Sequence, residues 1–279
     1  MAVFDRVVSA ILSLGRLVFV LAVIQLGLET LLCARFADSY SRQRFYNING
    51  VVPVIPWLPS SLPWLIYAFG AALAVAGAAM LWNHTLRTGA LAAGGLMSAG
   101  AILLNLPRYA ERLGDIAIRT ALFEPLAIAA LAFLLPGRDA IPPWLERAGR
   151  YALALSLIVF GVNHFLALAL FGTLIPAWIP WHIFWMAFFG AGFIAAGVSV
   201  GSNLLLGWST ALIGLMFAIW VFTLHIPLVA AKPDDPDGWS SLFIAAALWG
   251  GCWAQAGALS GRWRGTSESG YSRRARSGH

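Results

Sequence analysis

Charge is the scarcest property of this chain: 279 residues carry 18 Lys plus Arg and 12 Asp plus Glu, 11% of the whole. A soluble globular protein carries about 25%, so these residues are too few to coat a water-facing surface. An ordinary soluble enzyme or binding domain is excluded. Lysine occurs once, as Lys232, and cysteine twice, as Cys33 and Cys252, far apart in sequence. That rules out a disulfide-stapled scaffold, a CxxC redox pair and a thiolate metal motif. Phosphate loops, nucleophile elbows and dinucleotide fingerprints are also missing. The net charge of +6 would suggest nucleic acid in a soluble protein. Here the cations sit in loops and at the C-terminus, where they set topology and meet lipid head groups, so no nucleic-acid partner is expected.

What is present is apolar sequence, 60% of all residues. This excludes a disordered chain and predicts an all-α protein of the lipid bilayer. A spanning helix needs about 20 mainly apolar residues. Eight stretches qualify: 17–34, 63–83, 89–106, 118–135, 151–172, 181–200, 204–224 and 239–259. The first is read as a retained helix, since Arg16 interrupts the apolar run 7–32 early and no small-residue cleavage site precedes Cys33. The Ser-, Gly- and Arg-rich segment 261–279 is expected to be a disordered basic tail.

Eight spans place both termini on one side. That side holds 11 cations: Arg6, Arg16, Arg87, Arg138, Arg147, Arg150, Arg262, Arg264, Arg273, Arg274 and Arg276. The other holds 7: Arg35, Arg42, Arg44, Arg108, Arg112, Arg119 and Lys232. The positive-inside rule therefore predicts cytoplasmic termini. Tryptophans near the span ends, such as Trp57, Trp178 and Trp181 outside and Trp82 and Trp144 inside, form the expected interfacial belts.

The chain repeats itself. Gly15-Arg16 and Gly27 return as Gly149-Arg150 and Gly161, an offset of 134. Trp57-Leu58-Pro59 returns as Trp178-Ile179-Pro180, an offset of 121. Phe69-Gly70 and Gly77 return as Phe189-Gly190 and Gly197, and Leu104-Asn105-Leu106-Pro107 as Leu224-His225-Ile226-Pro227, both at an offset of 120. These pairs keep their order, with extra residues in the first loop of the first copy. Two four-helix units are predicted, 1–136 and 149–260, and an even helix count makes them parallel repeats.

The second copy carries a recognisable pattern. Phe160-Gly161-Val162-Asn163-His164-Phe165 is followed by Leu174-Ile175-Pro176-Ala177-Trp178-Ile179-Pro180, by Gly190 to Gly197, and by Leu224-His225-Ile226-Pro227. It resembles the DoxX family of small bacterial membrane proteins across 149–260 and, more weakly, across 15–136. The resemblance implies a DoxX-like four-helix fold, here doubled, in a bacterial inner membrane. It also implies the company of quinone-coupled sulfur oxidation and membrane redox complexes, although most members have no assigned activity. The first copy departs from the pattern, with Thr30 where His164 stands and Asn105 where His225 stands. Chemistry needing both histidines is therefore expected in the second copy alone.

Polar residues inside spans are costly and are functional candidates by default. Glu29, Asn105, Arg119, Glu124, Asn163, His164 and His225 all fall in the outer half under the predicted topology, while the inner half is nearly clean. Each has a structural role available as well. His225 can end its helix by bonding last-turn carbonyls. Glu124 has Arg119 and Arg108 as ion-pair candidates, and Asn163-His164 can bond a neighbouring helix. Pro125, next to Glu124, can free a backbone carbonyl.

Together these residues predict an outward-facing polar pocket whose carboxylates and histidines accept the protons of a quinol. Haem and metal are disfavoured, because the two histidines differ by about 10 Å in depth at 1.5 Å per residue and no ligand motif joins them. The leading expectation is an accessory subunit in quinone- or thiol-linked membrane redox chemistry, with a redox protein as partner. The alternatives are a non-enzymatic scaffold or chaperone and a small-molecule or lipid transporter.

Overall fold

A backbone in hydrocarbon has no water to satisfy its amides and must close its hydrogen bonds within its own helix. The computed structural model follows that rule. It describes residues 2–33, 64–173 and 175–276, and these contain helices and turns with no strand. The 35–62 loop, with Trp57 and its basic residues, lies outside them.

The chain begins with α1 (Ala2–Cys33) and α2 (Trp64–Ala79). Then come α3 (Leu86–Gly100), a π turn (Ala101–Asn105) and α4 (Leu106–Glu111) as one continuous rod, followed by α5 (Ile116–Leu134). The second half runs through α6 (Pro143–Leu166), the short α7 (Leu168–Gly172) and α8 (His182–Ser202). It ends with α9 (Leu206–Trp220), a second π turn (Val221–His225), α10 (Ile226–Ala231) and α11 (Pro236–Arg276).

Six stretches among the described residues are helical, long and apolar enough to cross a membrane: Leu14–Leu31, Leu86–Leu103, Ile116–Leu134, Pro143–Leu166, His182–Ser202 and Leu206–Ala231. The remaining two expected spans fall on α2 and α11. At 16 residues, α2 is about 24 Å long by helical rise, short of a hydrocarbon core of about 30 Å. The last helix extends through Arg276, past the point where the sequence reading has order stop. No proline lies beyond Pro236 to break it.

Each half packs in the same way. In the first half α1 lies on α2, in the second α6 lies on α8, and the halves join where α1 meets α11 and α5 meets α6. Glycine sets the approach at the intra-half crossings. A Cβ at Gly161 would sit 2.5 Å from the Gly190 carbonyl, and one at Gly27 would run into the Ala74 backbone and lie 2.8 Å from the Gly70 carbonyl. Only backbone-to-backbone contact fits there.

The arginines following Gly15 and Gly149 also do matching work. Arg16 donates to the Met80 carbonyl at 2.9 Å, and Arg150 donates to the Gly201 carbonyl at 2.8 Å. Each cation thereby satisfies carbonyls left open where the next helix ends.

The two π turns share a cause. In a regular α-helix the rings of Pro107 and Pro227 would collide with the carbonyl four residues back. Widening the preceding turn, so that Leu106 N–H bonds Ala101 and Ile226 N–H bonds Val221, lets both helices continue. His225 therefore does not end its helix, as the sequence reading had it. It lies inside a continuous rod from Leu206 to Ala231.

Candidate functional site

Helices α5, α6, α8 and α9 enclose a cavity of about 590 Å³, closed on one further side by α11 and at one end by the loop through Ile175, Pro176, Trp178 and Ile179. Its walls are mostly apolar, and aromatic rings dominate. His164 stacks on Trp220 with centroids 5.4 Å apart and planes at 21°, and packs against Phe193 at 5.1 Å. Trp185 stacks on Phe189 at 5.9 Å, and Phe189 meets Trp220 edge-on at 5.3 Å. These offset and edge contacts interlock the wall.

Four of the seven candidate residues, Glu124, Asn163, His164 and His225, line this one cavity. His164 is buried, and its Nδ1 lies 2.7 Å from the Phe160 carbonyl one turn back. That carbonyl can only accept, so Nδ1 carries the proton and Nε2 is the ring's acceptor nitrogen. Asn163 ties α6 to α5: its Oδ1 accepts from Arg119 Nε at 2.6 Å, and its Nδ2 donates to Thr120 Oγ1 at 2.9 Å.

Arg119 thus turns to Asn163. The candidate ion pair with Glu124 does not form, and the Arg108 side chain lies outside the described residues. Five positions apart on a helix, Arg119 and Glu124 project in different directions, and α6 claims the arginine. Glu124 Oε2 is buried with no hydrogen-bond partner among the described residues.

Asn105 and Glu29 stand apart from the cavity. Asn105 is fully buried, and its Nδ2 donates to the Ala121 carbonyl at 3.1 Å. Pro125 has no N–H, so the carbonyl four residues before it has lost its helical donor, and the asparagine supplies a replacement. Glu29 lies near the end of α1, with Oε2 buried and no hydrogen-bond partner among the described residues.

The aromatic wall was the feature the sequence reading passed over. Read from the sequence, Trp178 and Trp181 belong to the interfacial belt. The density of rings in Phe184-Trp185, Phe188-Phe189 and Phe193 was the available signal. Among the described residues, no three His, Cys, Asp or Glu side chains gather where they could share a metal ion. Cys252 is a free thiol buried within α11.

The arrangement can hold a largely apolar molecule and hydrogen-bond its polar end. A carboxyl group, Glu124, and two imidazoles, His164 and His225, line the same cavity and are groups able to exchange a proton. Compared with models of known families, with curated proteins and with solved structures, the chain finds no match.

Proposed function

We propose that this is a multi-pass protein of a bacterial inner membrane, a DoxX-like four-helix unit doubled in tandem, with eight spans and cytoplasmic termini. In this reading it serves membrane redox chemistry as an accessory subunit that holds a quinone in the α5–α6–α8–α9 cavity. The carrying observation is Glu124: a carboxyl oxygen buried without a hydrogen-bond partner among the described residues, lining the cavity that the His164–Trp220 stack also lines. A quinol ring fits between aromatic faces, and its hydroxyls need an acceptor of that kind.

The matching contacts of Gly27 with Gly161 and of Arg16 with Arg150 support the doubling. The thiol-linked variant draws no support from Cys252, which is buried. Transport is not favoured, since α5 runs unbroken through Pro125.

The test is extraction and mass spectrometry of what co-purifies in mild detergent. Quinone is expected with the native chain, reduced about tenfold in His164→Ala and Glu124→Gln, a loss of about 1.4 kcal/mol in binding. Native protein that carries no quinone, and takes none up when it is added, removes the redox reading. Reporter fusions at residue 279 check the orientation independently.

A further inference from the structure

The cavity is open along one flank. Phe188 on α8 and Ile219 on α9 both line it, yet they are 56% and 46% exposed on the outside of the protein. The same outer surface carries Phe184, Leu212, Leu215 and Phe222, all exposed. Trp178, in the loop at one end, is an exposed lining residue as well; between α8 and α9 the exposed lining is apolar and faces hydrocarbon rather than water.

The polar complement of the cavity limits what can occupy it. Two buried polar atoms on wall residues, Glu124 Oε2 and Trp185 Nε1, have no hydrogen-bond partner among the described residues. An indole N–H only donates, so it requires an acceptor oxygen, while a carboxyl oxygen is satisfied by a hydroxyl. Neither lysine nor arginine lines the cavity; Arg119 gives its Nε to the wall residue Asn163 and keeps Nη2 buried with no partner among the described residues. A phosphate or carboxylate head would meet the Glu124 carboxyl and no lining cation, at heavy desolvation cost.

We infer that the cavity admits its ligand sideways from the bilayer between α8 and α9, and that the ligand is a lipid-phase amphiphile with an uncharged hydroxyl- or carbonyl-bearing head. The tail extends past Phe188 and Ile219, while the head oxygen meets Trp185 and Glu124. This rests on the cavity being the binding site, as proposed above, but not on the ligand being a quinone.

Photolabelling in phosphatidylcholine vesicles tests it. The full-length chain is exposed to a long-chain primary alcohol carrying a diazirine close to its hydroxyl end, to the matching carboxylic acid, and to a short water-soluble diazirine alcohol. Labelled residues are mapped by mass spectrometry. The long-chain alcohol should label the cavity residues Glu124, Trp185 and Trp220, with the acid and the short alcohol each about tenfold weaker there. Ile219→Trp, which plugs the slot, should reduce cavity labelling about tenfold while leaving lipid-facing Val75 labelled as before. That control position reports correct folding, and Ile219→Ala should keep cavity labelling.

Preferential cavity labelling by the short alcohol overturns lateral entry. Equal labelling by the acid overturns the uncharged head. Strong cavity labelling by the long alcohol in a protein that binds no quinone sinks the quinone reading and leaves this inference standing.

Discussion

Matched positions carry different chemistry in the two halves. Thr30 in α1 and His164 in α6 both bond the carbonyl one turn back, Leu26 at 2.9 Å and Phe160 at 2.7 Å. The threonine spends its single donor there, whereas the histidine adds a ring that stacks on Trp220 and faces a cavity. Asn105 and His225 each close a π turn. Asn105 repairs the carbonyl freed by Pro125; at the corresponding step of α11 stands Ala245, which keeps its own N–H, so His225 is not needed for repair and lines the cavity. At these two positions the first half bonds its own backbone, while the second half faces the cavity.

The largest expected effect tests what the halves share. Gly27→Val and Gly161→Val each force a side chain into backbone and should cost at least about 3 kcal/mol, enough to abolish recovery of folded protein in detergent. Gly95→Ala meets nothing within 4 Å and should behave as the native chain. If either valine variant is recovered with unchanged thermal unfolding, backbone contact does not set those crossings.

Next comes the difference between Asn105 and His225. Asn105→Ala leaves the Ala121 carbonyl buried without its donor and should destabilise by about 1–3 kcal/mol, read by thermal or denaturant unfolding. His225→Ala should change stability much less and show its effect in ligand retention. A reversal of that order would erase the division of labour between the halves.

The smallest effect concerns the helix ends that Arg16 and Arg150 reach. Arg16→Ala and Arg150→Ala each remove a donor to helix-terminal carbonyls and should cost about 1 kcal/mol. Arg150→Ala should cost somewhat more, because its guanidinium also lies 3.6 Å from Glu146, which pairs with Arg138 at 3.0 Å.

The helical class was legible because apolar run length is a direct physical requirement of a bilayer, and the glycine-arginine pairs at an offset of 134 already pointed to matched crossings. The site was only partly legible. The histidines, Asn163 and Glu124 stood out because they are expensive in hydrocarbon. The role of Asn105 depends on a carbonyl freed by a proline twenty positions later, which no local pattern reveals. The destination of Arg119 is hidden for a related reason: Glu124, five positions on, shares its helix face only loosely, and α6 supplies Asn163 from a distant part of the sequence. The aromatic wall escaped notice because rings that anchor in an interface and rings that line a cavity have the same composition.

The π turns carry a consequence of another kind. Such a turn is a helix holding one residue more than its regular hydrogen bonds require, the trace left by a single-residue insertion. It occurs at the same step in both halves, Ala101–Asn105 and Val221–His225. If the halves descend from one four-helix ancestor, that insertion predates the doubling, whereas the histidines, found on one side only, belong to the divergence that followed. A one-residue deletion at either turn, made together with replacement of its proline, would then restore an ancestral helix and rotate everything beyond it by about 100°.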